Sequence, residues 1–241
     1  MNELKLFLTR IMAFCLITAI PGTILLALYF VTSPRIAEYH EMKLKKSVLD
    51  IFNISYHTDY KEFFGFKYKK IDKKDIRKVF EKSITIETLP EIYISEQPDG
   101  QIEDERDERD EKVKELFMYY KDGKLQGIGF VATRLGYGFN KAAHISLFIC
   151  VGPDLETIKG IEALDHTETP GLGGRMSEEG FKRQFIGKKL RPKISLVRGK
   201  ETVGPNEVHA ITGASYTSKG IEDIINEAMQ AFWQEMEANK G

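Results

Sequence analysis

The longest pattern in the chain is an apolar run near the N-terminus, Ile11–Val31, which contains no charged residue. As a helix, a run of this length can cross a hydrocarbon core of about 30 Å. Lys5 and Arg10 precede it, so a cleaved signal peptide is the alternative, but no small-residue cleavage site follows the run. We therefore expect a retained single-pass membrane helix, with residues 1–34 as the membrane anchor.

After this run the pattern changes to helical spacing and then to charged segments. Residues 35–54 have apolar residues on one predicted helix face: Leu44, Val48, Leu49 and Phe52. Residues 60–81 interleave aromatic residues with lysines, which predicts a small packed subdomain, with contact to lipid headgroups as the alternative. We assign residues 35–85 to a juxtamembrane helical segment. The mixed charges of residues 103–112 predict a solvated loop or helix face.

The second half of the chain contains strand patterns followed by a helical one. Leu116–Tyr120 and Leu125–Ala132 flank an Asp-Gly pair, which predicts a β-hairpin. His144–Val151 is apolar at nearly every position, which indicates an interior strand. From residue 221 the apolar positions recur every three or four residues, as in an amphipathic helix: Ile221, Ile224, Ile225, Ala228, Met229 and Phe232. Strands and helices without βαβ alternation predict an α+β domain rather than a Rossmann fold.

Composition narrows the function classes. The formal net charge of −1 gives no basic field that would attract a polyanion, so a nucleic-acid partner is not expected. Cys15 lies in the apolar run and Cys150 in a predicted strand, which makes a disulfide between them implausible. The histidines are scattered, and no metal site is indicated.

Hydroxyl-bearing and small residues cluster directly before the last predicted helix, in Ile211–Gly220. Thr217 or Ser218 is expected to cap that helix, and Glu222 and Asp223 would follow where the helix dipole favours acids. An anion beside Ser215 would meet the unpaired N–H groups of the first turn. Its approach would be eased by the small residues before it, which are Gly213 and Ala214.

Other interpretations of this segment remain. It can be a turn and helix cap without chemistry. A P-loop is excluded because no Gly-Lys-Ser/Thr ending is present, and a nucleophile elbow would need a second glycine that the segment lacks.

A second motif lies upstream, in His166–Arg175, whose sequence is His-Thr-Glu-Thr-Pro-Gly-Leu-Gly-Gly-Arg. Pro170 restricts one backbone angle, and the glycines allow positive φ and a close approach to a flat ligand. Taken alone, the segment could equally be a plain connecting loop.

The two motifs together resemble the FMN-binding domain family, and in particular the G subunit of the Rnf electron-transport complex and the C subunit of the sodium-pumping NADH:quinone reductase. Gly136-Tyr137-Gly138 and Gly152-Pro153-Asp154 add to the resemblance. It implies an N-terminal transmembrane helix followed by one FMN-binding α+β domain, which we assign to residues 86–241.

The resemblance also implies how the cofactor is held. In the family, a flavin transferase attaches FMN from FAD through a phosphoester bond, and the matching hydroxyl here is that of Ser215. Two positions depart from the usual pattern: Ser215 replaces a threonine and His209 an aspartate. The implied cofactor contacts are Thr212, Gly213, Ala214, Thr217, Ser218, Glu168, Thr169, Gly171, Leu172, Gly173 and Tyr137.

By the same resemblance, the chain would be an electron-carrying subunit of an ion-translocating ferredoxin:NAD⁺ oxidoreductase, without substrate turnover or NAD binding of its own. Its partners would be the other membrane subunits of an Rnf-type complex. The family places the domain outside the cytoplasmic membrane, whereas the lysines and arginines beyond the apolar run favour the opposite orientation. The alternatives are the C subunit of the quinone reductase, a stand-alone anchored flavoprotein, a non-redox anchored binding module and, more distantly, a serine hydrolase.

Overall fold

The computed structural model describes residues 2–63, 65–92, 113–137, 140–199 and 203–238 of the 241-residue chain. The chain divides into two compact units, Met1–Met42 and Lys43–Gly241. Residues 103–112, predicted as a charged loop or helix face, lie outside the described residues, as does Gly138 of the Gly-Tyr-Gly motif.

The first unit belongs to a single helix, α1 (Asn2–Ile51), which ends in the second unit. Large apolar side chains along the first part of this helix are exposed, for example Phe14, Ile17 and Leu25. By length and composition, α1 is the one helix among the described residues that could cross a membrane. The helix predicted from the sequence is therefore present, and it runs past residue 34 without a break.

The second unit begins with a short hairpin and a helix: β1 (Thr58–Phe63), β2 (Phe66–Ile71) and α2 (Lys73–Ser83). Asp72 starts α2, because its carboxylate accepts hydrogen bonds from the N–H groups of Lys74 and Asp75. The aromatic side chains of Tyr60 and Phe66 are exposed. The segment predicted as juxtamembrane and helical thus also contains a two-stranded sheet.

A five-stranded antiparallel sheet forms the centre of this unit, and each strand pairs with the next one along the chain. The strands are β3 (Ile84–Ile92), β4 (Val113–Lys121), β5 (Lys124–Tyr137), β6 (Asn140–Val151) and β7 (Ile158–His166). The predicted hairpin is confirmed as β4–β5, which turns at Asp122-Gly123, both with positive φ. The predicted interior strand is confirmed as β6, which lies between β5 and β7.

One face of the sheet packs against the last helix, α4 (Ser215–Ala238). Phe232 of α4 stacks on Phe130 of β5 with ring centroids 5.6 Å apart, and both side chains are fully buried. The predicted apolar stripe of α4 is buried in the same core: Ile221, Ile224, Ile225, Ala228, Met229 and Phe232. Sheet and helices together confirm the predicted α+β class.

The opposite face of the sheet is covered by α2 and by the last turns of α1. Phe80 of α2 lies against Phe117 of β4, and Phe52, just after α1, lies against Tyr119. Gly160 of β7 leaves room for Ile51, whose side-chain carbons are about 3 Å from the place that a Cβ would take. The sheet is therefore buried on both faces over much of its length.

Short elements connect β7 to α4. They are a 3₁₀ helix (Gly173–Ser177), α3 (Glu179–Lys182), a second 3₁₀ helix (Arg183–Phe185), β8 (Ser195–Val197) and β9 (Glu207–His209). β8 and β9 pair in parallel. The side chain of Asn226 in α4 attaches this pair to the domain, because it accepts a hydrogen bond from the Ile194 N–H and donates one to the Ile194 carbonyl, each 2.9 Å long.

Candidate functional site

The end of β9 leads the chain directly to Ser215. His209 is half-buried at the end of β9, and its main-chain N–H donates to the side-chain oxygen of Gln184 at 3.0 Å. The chain then turns at Gly213, whose φ is 81°. Helix α4 begins two residues later, so the half-buried Ser215 is its first residue.

The structure corrects the predicted helix start. Thr217 and Ser218 lie inside the first turn of α4 and cap nothing. The buried Ser218 hydroxyl instead accepts from the Ile211 N–H at 3.0 Å and donates to the Ala214 carbonyl at 2.8 Å. It therefore closes the turn that presents Ser215.

Glu222 and Asp223 are consequently further from the helix start than predicted, and both pair with Lys219 at 2.8 Å. The N–H groups of residues 215–217 have no carbonyl one turn earlier within the helix. The start of α4 therefore offers hydrogen-bond donors and a positive helix-dipole end next to the Ser215 hydroxyl.

The upstream motif folds as a compact turn that enters the first 3₁₀ helix. The carbonyl of Thr169 accepts hydrogen bonds from the N–H of Leu172 at 3.2 Å and of Gly174 at 3.0 Å. Gly171 has a φ of 78°, and no atom lies within 4 Å of the place for its Cβ. We call Thr169–Gly173 the glycine loop.

The structure brings the glycine loop and the start of α4 together. The Thr217 hydroxyl donates to the Glu168 carboxylate across 2.6 Å. A Cβ on Gly173 would lie 1.6 Å from that carboxylate, so a side chain there would have to displace it. A Cβ on Gly213 would lie 3.5 Å from Cδ2 of Leu172, which places the tip of the glycine loop over the turn before Ser215.

His166 holds the start of the upstream motif in place, and the sequence analysis did not include it among the site residues. Its Nδ1 accepts the main-chain N–H of Glu168 at 3.2 Å, and its Nε2 lies 3.2 Å from the Ser177 hydroxyl. Burial, followed by the positive charge of Lys43, lowers the pKa of His166. A neutral ring suits both contacts, since Nδ1 must keep a lone pair. The sequence placed this residue in the motif but gave no spacing signal for its contacts.

For two of the predicted site residues, the structure shows no side-chain hydrogen bond to the glycine loop or the start of α4 among the described residues. Thr212 is exposed in the turn before α4. Tyr137 is the last residue of β5, and its side chain lies outside the described residues.

Both motifs, the strands β6 and β7 and most of α4 fall in one stretch that is similar to a known family. Residues 138–230 match the FMN-binding domain family. The match covers both motifs, agrees with the resemblance predicted from them and supports FMN as the ligand of this stretch.

The described residues of this stretch fit such a ligand. A phosphate suits the hydroxyl of Ser215 and the N–H groups of the first turn of α4. A flat ring suits the exposed apolar side chains beside them, since Leu172 is 49% and Tyr216 52% exposed. The donor set and these apolar side chains thus lie at the same turn.

Relatives of this chain are named as subunits of two kinds of complex. The chain is 34% identical over 103 residues to the C subunit of the Na⁺-translocating NADH-quinone reductase of Yersinia pestis, an alignment that covers 40% of this chain and 37% of that protein. It is 29% identical over 125 residues to the G subunit of the Na⁺-translocating ferredoxin:NAD⁺ oxidoreductase complex of Acetobacterium woodii, covering 52% of this chain and 58% of that protein. The chain thus matches less than two thirds of either relative.

Solved structures share the fold. The crystal structure of NqrC from Shewanella oneidensis superposes with a TM-score of 0.58 at 22% identity, covering 84% of this chain and 99% of that one. The C subunit of the Na⁺-translocating NADH-quinone reductase of Parabacteroides distasonis gives a TM-score of 0.51 at 22% identity, covering 68% of this chain and 83% of that one.

Proposed function

We propose that the chain is a membrane-anchored electron-transfer subunit that carries FMN on Ser215 through a phosphoester bond. The observation that carries the proposal is the position of the Ser215 hydroxyl on the first residue of α4, next to the glycine loop. A phosphodiester keeps one negative charge, which the helix N-terminus stabilises. The family match of residues 138–230 supports FMN as the group held there.

In this proposal, bound FMN supplies one- and two-electron redox chemistry, and the protein supplies position and electrostatics. Ser215 fixes the phosphate end. The glycine loop, with Leu172 at its tip, would hold the ring end. Covalent attachment keeps the group in place when the domain faces an aqueous compartment.

The surrounding complex is part of the proposal. We infer an Rnf-type ion-translocating assembly, supported by the similarity to the G subunit of the Acetobacterium woodii complex. The partners are then the other membrane subunits and a flavin transferase, and the domain sits on the extracytoplasmic side of the membrane, anchored by α1. The similarity to the C subunit of the Yersinia pestis quinone reductase supports that complex as the second candidate.

The test is whether flavin is attached to Ser215. Protein made in a host with a flavin transferase should fluoresce under ultraviolet light on a denaturing gel. Mass spectrometry of the peptide that contains Ser215 should show FMN less one water. Ser215→Ala should abolish both signals, while Ser215→Thr, which keeps a hydroxyl, should retain them.

Two results would contradict the proposal. Wild-type protein without flavin from a competent host would favour a non-redox binding module. Labelling of Ser215 by a fluorophosphonate probe would favour a serine hydrolase. A matched control is Ser177→Ala, which removes a hydroxyl near His166 and should leave the flavin on the protein.

A further inference from the structure

We propose that the hydrogen bond between Thr217 and Glu168 is the contact that holds the glycine loop over the group carried by Ser215. Thr217 and Glu168 are thus positioning residues for the ring of that group, whereas Ser215 forms the covalent bond to its phosphate. The inference rests on the proposed function. The test distinguishes failure of this inference from failure of the proposed function, because attachment of the flavin and immobilisation of its ring are measured independently.

The contact joins two elements that are 49 residues apart in sequence. Thr217 lies in the first turn of α4, two residues after Ser215, and is only 3% exposed. Glu168 directly precedes the glycine loop, and its carboxylate accepts the hydroxyl hydrogen across 2.6 Å. A charged acceptor at this distance forms a stronger hydrogen bond than a neutral one.

The local geometry is arranged around this bond. Gly173, at the other end of the loop, lies so close that its Cβ would be 1.6 Å from the Glu168 oxygen and 2.6 Å from the Thr217 hydroxyl. The φ of Gly173 is not in the left-handed region, so glycine is needed here because a side chain would take up the space of the carboxylate, and not because of the backbone conformation. The main-chain N–H of Glu168 is separately fixed by His166.

The consequence for the ligand follows from where the loop lies. The Leu172 side chain, at the tip of the loop, extends over the turn at Gly213. If the Thr217–Glu168 bond is lost, the loop keeps its own hydrogen bonds at Thr169 but loses this link to α4. A ring attached through Ser215 would then remain on the protein but move freely.

The experiment compares full-length variants on two readouts. The first is hydrogen exchange of the loop amides, measured in the Ser215→Ala background, which carries no flavin. The second is the fluorescence anisotropy of covalently attached flavin in proteins that keep Ser215. Thr217→Val removes the hydroxyl with little change in volume, and Thr217→Ser restores it.

With Thr217→Val, loop opening should increase roughly tenfold or more, the factor expected for loss of one charge-assisted hydrogen bond. Flavin should stay attached while its anisotropy falls, and Thr217→Ser should restore both values. Gly173→Ala should reproduce the Thr217→Val result by displacing the carboxylate. Gly180→Ala is its matched control, because no atom lies within 4 Å of that Cβ position.

A second control is Thr133→Val. Thr133 is another buried threonine, and its hydroxyl forms a hydrogen bond with that of Ser146. The side chain of the preceding residue, Ala132, lies on the face of β5 that packs against α4, so the Thr133 side chain lies on the opposite face of the sheet.

Faster loop exchange with unchanged anisotropy would overturn the inference, because Thr217 and Glu168 would then form a structural contact only. Unchanged exchange would overturn it as well. Wild-type protein without flavin would instead overturn the proposed function.

Discussion

At the scale of the residue, Ser218 has the clearest structural role in the site. Its buried hydroxyl bonds to both the Ile211 N–H and the Ala214 carbonyl, on either side of the turn at Gly213. Ser215 and Ser218 are both serines of the same helical turn, but only the second is placed to stabilise the fold. The two hydroxyls therefore have separable effects.

We expect Ser218→Ala to lower the free energy of unfolding by about 1–3 kcal/mol, because a buried N–H loses its acceptor. Thermal unfolding followed by near-ultraviolet circular dichroism would measure the loss. Thr212→Ala, at an exposed position of the same turn, should change stability by less than about 0.5 kcal/mol. Equal stability of the two variants would contradict the assigned role of Ser218.

His166 makes stability depend on pH. Its pKa is lower in the folded protein than in the unfolded chain, so between these two values the unfolded state binds more protons. Stability should thus fall as pH drops from the usual histidine value of about 6.5 toward the folded-state value. The groups that face the ring act in opposite directions on the pKa of His166: Lys43 and His144 lower it, whereas Asp165 and Glu168 raise it.

The check is a series of unfolding temperatures from neutral pH downward. His166→Gln keeps an acceptor for the Glu168 N–H but does not titrate, so it should flatten the decline. A wild-type slope that His166→Gln does not alter would show that other groups cause it.

At the scale of the element, α4 serves the core and the site at once. Its apolar stripe packs on the sheet, its first turn carries Ser215, and Asn226 near its middle holds the strand β8. The side chain of Asn226 makes the hydrogen bonds that a neighbouring strand would otherwise make, because it pairs with both the main-chain N–H and the main-chain carbonyl of Ile194.

Asn226→Leu should therefore destabilise the domain by about 1–3 kcal/mol for each main-chain group of Ile194 that stays buried without a partner. Asn226→Asp keeps the acceptor and loses the donor, so its effect should be smaller than that of Asn226→Leu. Gln230→Leu, on the exposed side of α4, should be nearly neutral. Denaturant midpoints rank the three, and a different order would mean that β8 is held by other contacts.

At the scale of the whole molecule, the N-terminal unit differs from the domain in what it exposes. Its helix presents large apolar side chains along the predicted span, including Ile17 and Leu25. Water does not favour such a surface, and a bilayer does.

We expect the full chain to stay in the membrane pellet during alkaline carbonate extraction. Ile17→Arg with Leu25→Arg should move it toward the soluble fraction, since each arginine costs roughly 2.5–3.5 kcal/mol near the centre of a spanning helix. Ile36→Arg, beyond the apolar run, is the control and should stay in the pellet. Extraction of the wild type would contradict membrane insertion.

The sequence predicted the parts of the fold that depend on local pattern. The Asp-Gly turn and alternating residues predicted β4–β5, and the apolar stripe after Ile221 predicted the buried face of α4. The start of α4 was misplaced because Thr217 and Ser218 are ordinary capping residues. Capping preference is local, but the hydroxyls of these two residues are used elsewhere. The Thr217 hydroxyl bonds to Glu168, which is distant in sequence, and the Ser218 hydroxyl bonds to the Ala214 carbonyl.

The site was predictable as two motifs but not as one arrangement. The glycines of the upstream motif suggested conformational freedom, and Gly171 fits that role with its positive φ. Gly173 serves a different purpose, which depends on a carboxylate five residues earlier and a hydroxyl on another helix. No periodicity or spacing rule reports such a three-way contact.

That three-way contact has a consequence for how the chain can change over generations. Any side chain at position 173 would collide with the acid at 168, and without that acid the threonine at 217 loses its partner. The three positions should therefore be inherited as a set: lineages that keep the glycine should keep both others, and those that abandon one should drift at all three.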